Sequence, residues 1–224
     1  MEIKIHRGLD QIGGCITEIW TDTSRVFIDF GQNLPGNGEP STPEEDEKMV
    51  ESIFASNHKD HEAVFYTHGH EDHVGLMDYT PDDVPQYMSE GTKELLTIKY
   101  DILYDVAEKE VNELQSIDCE QQEYSDAVNR LIYADNRGKL LNGMTVWKRT
   151  APRKEPESIV IGDIKVFPFF NSHSIYDSHM FLIEADGKRI WHMGDYRQHG
   201  YLGKGLLPTL KKYATDIDVL ITEG

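Results

Sequence analysis

The sequence predicts an α/β fold, and three observations carry that expectation. Short alternating or apolar runs bounded by turn residues recur in the first and last thirds of the chain, as β-strands require. Between them, residues 91 to about 136 carry the periodicity of amphipathic helices. One strand-like run, Ala63-Val64-Phe65-Tyr66, feeds straight into Thr67-His68-Gly69-His70-Glu71-Asp72-His73-Val74-Gly75, after which the chain turns helical. At 224 residues the chain suits one good-sized domain, or a domain with an insertion.

Taken in order, residues 2–6 alternate like a strand, residues 15–20 follow a Gly-Gly turn, and residues 25–30 follow the turn Thr21-Asp22-Thr23-Ser24. A loop with Pro35, Gly36, Gly38, Pro40 and Pro43 comes next, long enough to form one wall of a cleft. Residues 44–62 are charged and partly helical, and residues 64–67 are the strand that delivers the histidine cluster. Asp78-Tyr79-Thr80-Pro81 stops the helix after the cluster, and residues 85–88 form another short strand. The helical stretch places Leu95, Ile98, Ile102, Leu103, Val106, Val111 and Leu114 on one stripe, expected to pack in the core. Residues 118–133 are highly charged and form a separate helix. Strand signals return at residues 144–148, 159–161, 164–169 and 180–185, and Asp186-Gly187 turns tightly into a strand at 188–193. A helix at 206–213 and an apolar strand at 218–222 follow.

Three imidazoles and two carboxylates fall within the six positions from His68 to His73. A buried His or Asp costs free energy unless it is paired or bound to metal. Neutral imidazole and carboxylate are the ligands that borderline divalent cations prefer. In an extended segment His68 and His70 point the same way, so one metal can take both. A turn into a helix then swings Asp72 and His73 toward a second position. The alternative is a polar surface loop, but apolar runs on both sides wedge the cluster between a strand end and a helix start. Asn171-Ser172-His173-Ser174 and Met193-Gly194-Asp195-Tyr196 each follow strand signals and add His173 and Asp195 as candidates. Taken alone, His173 would be a surface histidine and Asp195 a turn former.

Composition narrows the class. Lys and Arg number 22 against 40 Asp and Glu, a net charge of −18. Such a surface repels nucleic acid and anionic membranes, although two divalent ions would return about +4 at the site. No apolar run approaches the roughly 20 residues needed to cross a bilayer. Met1 to Arg7 lacks the apolar stretch of a signal peptide, so a cytoplasmic protein with no membrane partner is expected. Cys15 and Cys119 are far apart and form no C-x-x-C, which argues against a disulfide framework or a thiolate zinc site. Both are expected to be small apolar residues, with Cys15, beside Gly13-Gly14, near the site.

His68-x-His70-x-Asp72-His73, followed by a distant His173 and a distant Asp195, resembles the pattern of the metallo-β-lactamase superfamily. Gln11-Ile12-Gly13-Gly14-Cys15, His173-Ser174-Ile175 with Asp177-Ser178, and His192-Met193-Gly194-Asp195-Tyr196 are most similar to ribonuclease J and its β-CASP relatives. The resemblance spans most of the chain outside about residues 100–140. It implies an αββα sandwich, two mixed β-sheets flanked by helices, over residues 1–224 with a helical insertion at about 90–140. It implies His68, His70 and His173 as ligands of one metal, Asp72 and His73 as ligands of a second, and Asp195 as a bridge. Asp29 would support the ligand loop from behind without touching metal. Two divalent cations are expected, Zn²⁺ foremost, with Mn²⁺ also suited. Asp72 or Asp195 would orient the attacking water or relay its proton as catalytic carboxylates. His179 and His192 are expected to be structural.

The departures from that pattern matter. The second metal usually gains a further histidine from a later strand, and no histidine follows His199, itself a poor substitute. In β-CASP proteins that histidine lies beyond a large inserted domain. Residues 221–224 resemble the strand leading into it, with Glu223 at an acidic position. An N-terminal part of a longer protein is therefore expected, with a β-CASP domain after residue 224. The implied activity is a ribonuclease J-like phosphodiesterase, using a water or hydroxide between two metals to cut RNA or another phosphodiester. The competing expectations are a small-molecule hydrolase acting on a thioester, lactone or cyclic nucleotide, and a non-catalytic metal-binding fragment. Metal should bind well on the His68 side and weakly at Asp72–His73.

Overall fold

In a computed structural model of the chain, two β-sheets pack face to face. The structure describes all residues except 35, 37–40, 117–120, 148–154, 200–201 and 223–224, so Pro35, Gly38, Pro40, Cys119, Lys148 and Glu223 lie outside the described residues. The first sheet runs in sequence order: β1 (Glu2–Arg7), β2 (Ile16–Trp20), β3 (Ser24–Ile28), β4 (His61–Phe65), β5 (Gln86–Ser89) and β6 (Thr145–Trp147). β1 to β3 form an antiparallel meander, and β3 to β6 are parallel. Parallel neighbours need crossovers. α1 (Pro43–Ala55) links β3 to β4; α2 (Glu71–Val74) and a 3₁₀ turn at Met77–Tyr79 lie between β4 and β5. The second sheet holds β7 (Ile159–Ile161), β8 (Ile164–Phe170), β9 (His179–Ala185), β10 (Lys188–His192) and β11 (Val219–Ile221) in order. It is antiparallel except for β10–β11, which α5 (Leu206–Tyr213) connects.

Strand periodicity builds the core. Val26, Ile28, Ala63 and Phe65 of the first sheet meet Val166, Phe181, Ile183 and Ile190 of the second, all fully buried. The alternate residues of β9, Met180 and Leu182, face outward with Trp191 onto Leu206 and Leu210 of α5. α1 covers the other outer face: its buried Asp46, Val50, Ile53 and Phe54 share one side, and Phe54 stacks on Phe30 and packs at a tilt on Phe27. Thr42 and Glu45 close a capping box at its start, with Pro43 at the first helical position. At its end, the fully buried Arg25 donates to the carbonyls of Ile53, Phe54 and Ser56 and pairs with Glu62 at 2.8 Å. That arginine satisfies carbonyls a helix end leaves open.

Two strand ends differ from expectation for a local reason. β3 stops at Ile28 rather than residue 30 because Asp29 takes φ +62°, and β10 stops at His192 because Gly194 takes φ +55°. Both breaks fall beside the candidate site.

Residues Lys93–Met144 form a separate compact unit, carrying most of α3 (Glu90–Gln115) and all of α4 (Gln121–Gly143). Within it Val111 and Leu114 pack on Ala127, Tyr124, Val128 and Leu131. The expected core stripe needs correction. Ile98, Ile102, Leu103 and Val106 are exposed, whereas Leu96, Tyr100, Ala107, Val111 and Leu114 are buried. Val111 and Leu114 are buried as expected, but earlier in α3 the buried line runs through Leu96, Tyr100 and Ala107, a small alanine that hydropathy counting underweights. Among the described residues, no helix is long and apolar enough to cross a membrane.

Candidate metal centre

The site begins where β3 and β4 end side by side, Ile28 opposite Phe65. The left-handed turn at Asp29 aims its buried carboxylate across at the next segment. Oδ1 accepts the Thr67 N–H at 2.7 Å; Oδ2 accepts the Thr67 hydroxyl at 2.8 Å and lies 2.8 Å from His73 Nδ1. A Thr67 hydroxyl that donates to Asp29 is left to accept, and His68 Nδ1 stands 3.0 Å from it. Both His68 and His73 therefore keep a proton on Nδ1, which leaves Nε2 as the ring nitrogen that faces the centre. The backbone holds the cluster equally firmly: Phe30 N–H donates to His73 O, Gln32 N–H to Glu71 O, and Cys15 N–H to Asp72 O. A Cβ on Gly31 would sit 1.6 Å from Asp72 O, so only glycine allows this approach.

The second sheet brings the remaining groups. Asn171 Nδ2 donates to the carbonyls of Met193 and Asp195, tying the loop after β8 to the loop after β10. His179 N–H donates to Thr67 O, joining the start of β9 to the cluster. His68 Nε2 then lies 3.0 Å from His70 Nδ1, and the His173 ring centre is 4.8 Å from that of His68 and 5.1 Å from that of His70. Asp195 straddles the site: Oδ1 is 3.2 Å from His73 Nε2 and Oδ2 is 3.5 Å from His173 Nε2. Two triads result, His68–His70–His173 and His68–His73–Asp195, each with ligand atoms within 4.8 Å of one another. His68 is thus common to both. Asp72 stands alongside, its Oδ2 3.7 Å from His73 Nε2, but outside both triads. His199 is exposed. His179 donates from Nδ1 to the Asp177 carbonyl and packs its ring on Trp147.

Electrostatics separates the histidines. Burial pushes the His68 imidazolium well below the usual range, and His73, His70 and His173 add repulsion. Burial also lowers His173, against the pull of Asp195. At His73 burial again disfavours charge, but Asp29 and Asp195 outweigh it and hold the pKa well above 6.5. Burial takes His192 down to about 4 and raises the Cys15 thiol to about 11.

His173 Nδ1 is sealed from solvent without a hydrogen-bond partner, and His73 Nε2, equally sealed, has carboxylate oxygens of Asp195 and Asp72 nearby but no well-aligned hydrogen bond. Buried polar atoms of this kind call for a partner, and a divalent cation supplies one to converging nitrogen and carboxylate donors. The residues present fit such an ion. Beside Asp72 and Asp195 opens a cleft of about 590 Å³, lined in part by Leu9, Ile12, Thr17 and His192. The sequence assigns no role to Thr67 or Asn171, although each adjoins a candidate ligand or its loop. Nothing local shows that a threonine hydroxyl links an aspartate to a histidine.

No family model matches the chain. It is 26% identical over 230 residues to an RNase J-like protein of Methanocaldococcus jannaschii, covering 99% of this chain and 42% of that protein. The chain therefore spans less than half the length of that relative. A protein of unknown function from Enterococcus faecalis V583 superposes with a TM-score of 0.63 at 21% identity, covering 99% of this chain and 49% of that one. A Cronobacter sakazakii metallo-β-lactamase with the HARLDQ motif gives 0.53 at 11% identity, covering 96% and 73% of the two chains. The MIM-2 metallo-β-lactamase gives 0.50 at 14% identity, covering 96% and 71%. The αββα sandwich is the metallo-β-lactamase fold.

Proposed function

We propose that this metallo-β-lactamase-fold chain carries the metal centre of a hydrolase that cuts phosphodiesters, with RNA as the substrate class. The convergence of two donor triads on a shared, neutral His68 carries the proposal. The RNase J-like relative supports the substrate class. His68, His70 and His173 would hold one divalent cation, and His73 with Asp72 a second, with Asp195 as a further ligand between the two groups. Zn²⁺ suits this donor set best, and Mn²⁺ is also compatible. Bound there, two cations would supply Lewis-acid polarisation and acidify water to near neutrality.

The chain's own groups do the rest. Burial keeps His68 and His173 uncharged and ready to donate lone pairs. Thr67 and Asp29 fix which ring nitrogen faces inward. Asp195 and Asp72 line the cleft and would accept the proton of an attacking water. Zinc- and manganese-loaded protein tested against single-stranded RNA, bis(p-nitrophenyl) phosphate and a thioester separates the outcomes. Hydrolysis of the first two, lost in Asp195→Asn, is expected. Turnover of the thioester alone would favour a small-molecule hydrolase. No metal uptake, with no loss of stability on adding chelator, would overturn the metal centre itself.

A further inference from the structure

His192 is not a metal-ligand candidate, yet its surroundings are those of a working group. Residues two apart on a strand share a face, so His192 follows Ile190 onto the inner side of β10, paired with Phe181 and Ile221 on the neighbouring strands. It is only 6% exposed, and what it does expose lines the cleft with Asp72, Gly194 and Asp195. The Gly194 N–H donates to His192 Nδ1 at 3.2 Å. A backbone N–H can only donate, so Nδ1 is an acceptor and the neutral ring carries its proton on Nε2. No described residue accepts a hydrogen bond from that Nε2–H. Unlike His73 Nε2, it is not sealed from solvent, and the cleft is its outlet.

A purely structural histidine is the competing account. An apolar side chain would fill the same space without stranding a donor in a nearly buried ring, and native proteins rarely leave such donors unused. We propose that His192 Nε2–H is a hydrogen-bond donor to an anionic oxygen of the substrate's scissile group, held in the cleft on the Asp195 side. This role rests on the phosphodiester activity proposed above, which makes that oxygen a non-bridging phosphoryl oxygen. A neutral imidazole suits the task, because it donates to developing negative charge without itself giving up a proton. Gly194, by occupying Nδ1, selects the tautomer and so acts as a positioning residue.

The test uses the zinc-loaded protein with inorganic phosphate as probe, followed by calorimetry, and compares His192→Leu with His192→Gln. The glutamine amide can place a donor where Nε2 stood. His192→Leu should weaken phosphate binding about 10-fold with zinc stoichiometry unchanged, and His192→Gln should recover most of the loss. In turnover of bis(p-nitrophenyl) phosphate, His192→Leu should lower kcat about 10²–10³-fold with a smaller change in KM. Nitrogen NMR of the wild-type zinc form should show the Nε2-protonated ring, with that signal shifting on phosphate addition, whether or not either variant folds. Equal phosphate affinity in wild type and His192→Leu would overturn the proposal. So would an Nδ1-protonated ring, or loss of zinc in His192→Leu. If the wild type binds zinc and shifts the His192 signal with phosphate but cleaves no phosphodiester, the anion-donor role stands and the proposed activity falls.

Discussion

Asp29→Asn isolates the group that sets the His73 lone pair. Asparagine has the shape of aspartate and tolerates the φ of +62° at this position, so the backbone need not move. Asp29 accepts from the Thr67 N–H, the Thr67 hydroxyl and His73 Nδ1, all at 2.7–2.8 Å. An amide can keep one of these as an acceptor, but it turns its NH₂ toward the others. His73 Nδ1 must then accept, and its proton moves to Nε2, the atom that faces Asp195. Loss of such a supporting partner typically costs 10–100-fold in metal affinity, about 1.4–2.7 kcal/mol. Three charge-assisted bonds also weaken, so the metal-free fold should lose about 2–4 kcal/mol. Zinc titration by calorimetry with a competing chelator, together with urea unfolding, reads both effects. The tight event at His68–His70–His173 should persist, and the weaker event involving His73 should fall by the stated factor. Unchanged zinc affinities in a folded Asp29→Asn protein would refute the tautomer argument.

Other consequences are equally open to measurement. Arg25→Met should destabilise the fold by about 3–5 kcal/mol in urea unfolding, because Glu62 and Glu18 lose their buried partner; zinc stoichiometry should not change. The low His192 pKa, about 4 against 6.5 unfolded, means the unfolded chain takes up its proton first as pH falls. Stability of the metal-free protein should therefore be complete above about pH 6.5, fall by about 3 kcal/mol from this group toward pH 4, and then level off. His192→Gln should flatten that slope in urea titrations at each pH, and an unchanged slope would count against the buried neutral ring. With its pKa near 11 rather than 9, Cys15 should hold about 100-fold less thiolate than an ordinary thiol. In a Cys119→Ser background, thiol-reagent kinetics at pH 8 should be correspondingly slow in folded protein and fast in urea; a fast folded-state reaction would contradict the raised pKa.

Part of this molecule was legible before any coordinates. His68, His70, Asp72 and His73 lie within six positions, so the local geometry of one strand-to-helix junction suffices to bring them together. Most strands were marked by their alternation and turns, and α5 by its apolar periodicity. The stripe on α3 held at Val111 and Leu114 but was misplaced before them, because hydropathy favours large residues while burial follows a line through Ala107.

What the sequence by itself determined was therefore local: which segments extend, which coil, and where metal-binding chemistry concentrates. The resemblance named His173 and Asp195, but how they reach the cluster is decided by tertiary structure, because the stacking of two sheets and the Asn171 bridge between loops depend on residues far apart in the chain. The same holds for the Asp29–Thr67–His73 linkage, which the β3–β4 register creates, and for His192, whose free donor depends on the turn at Gly194. A side chain's type is written in the sequence, but the direction of its lone pair or proton is set by neighbours that only folding supplies.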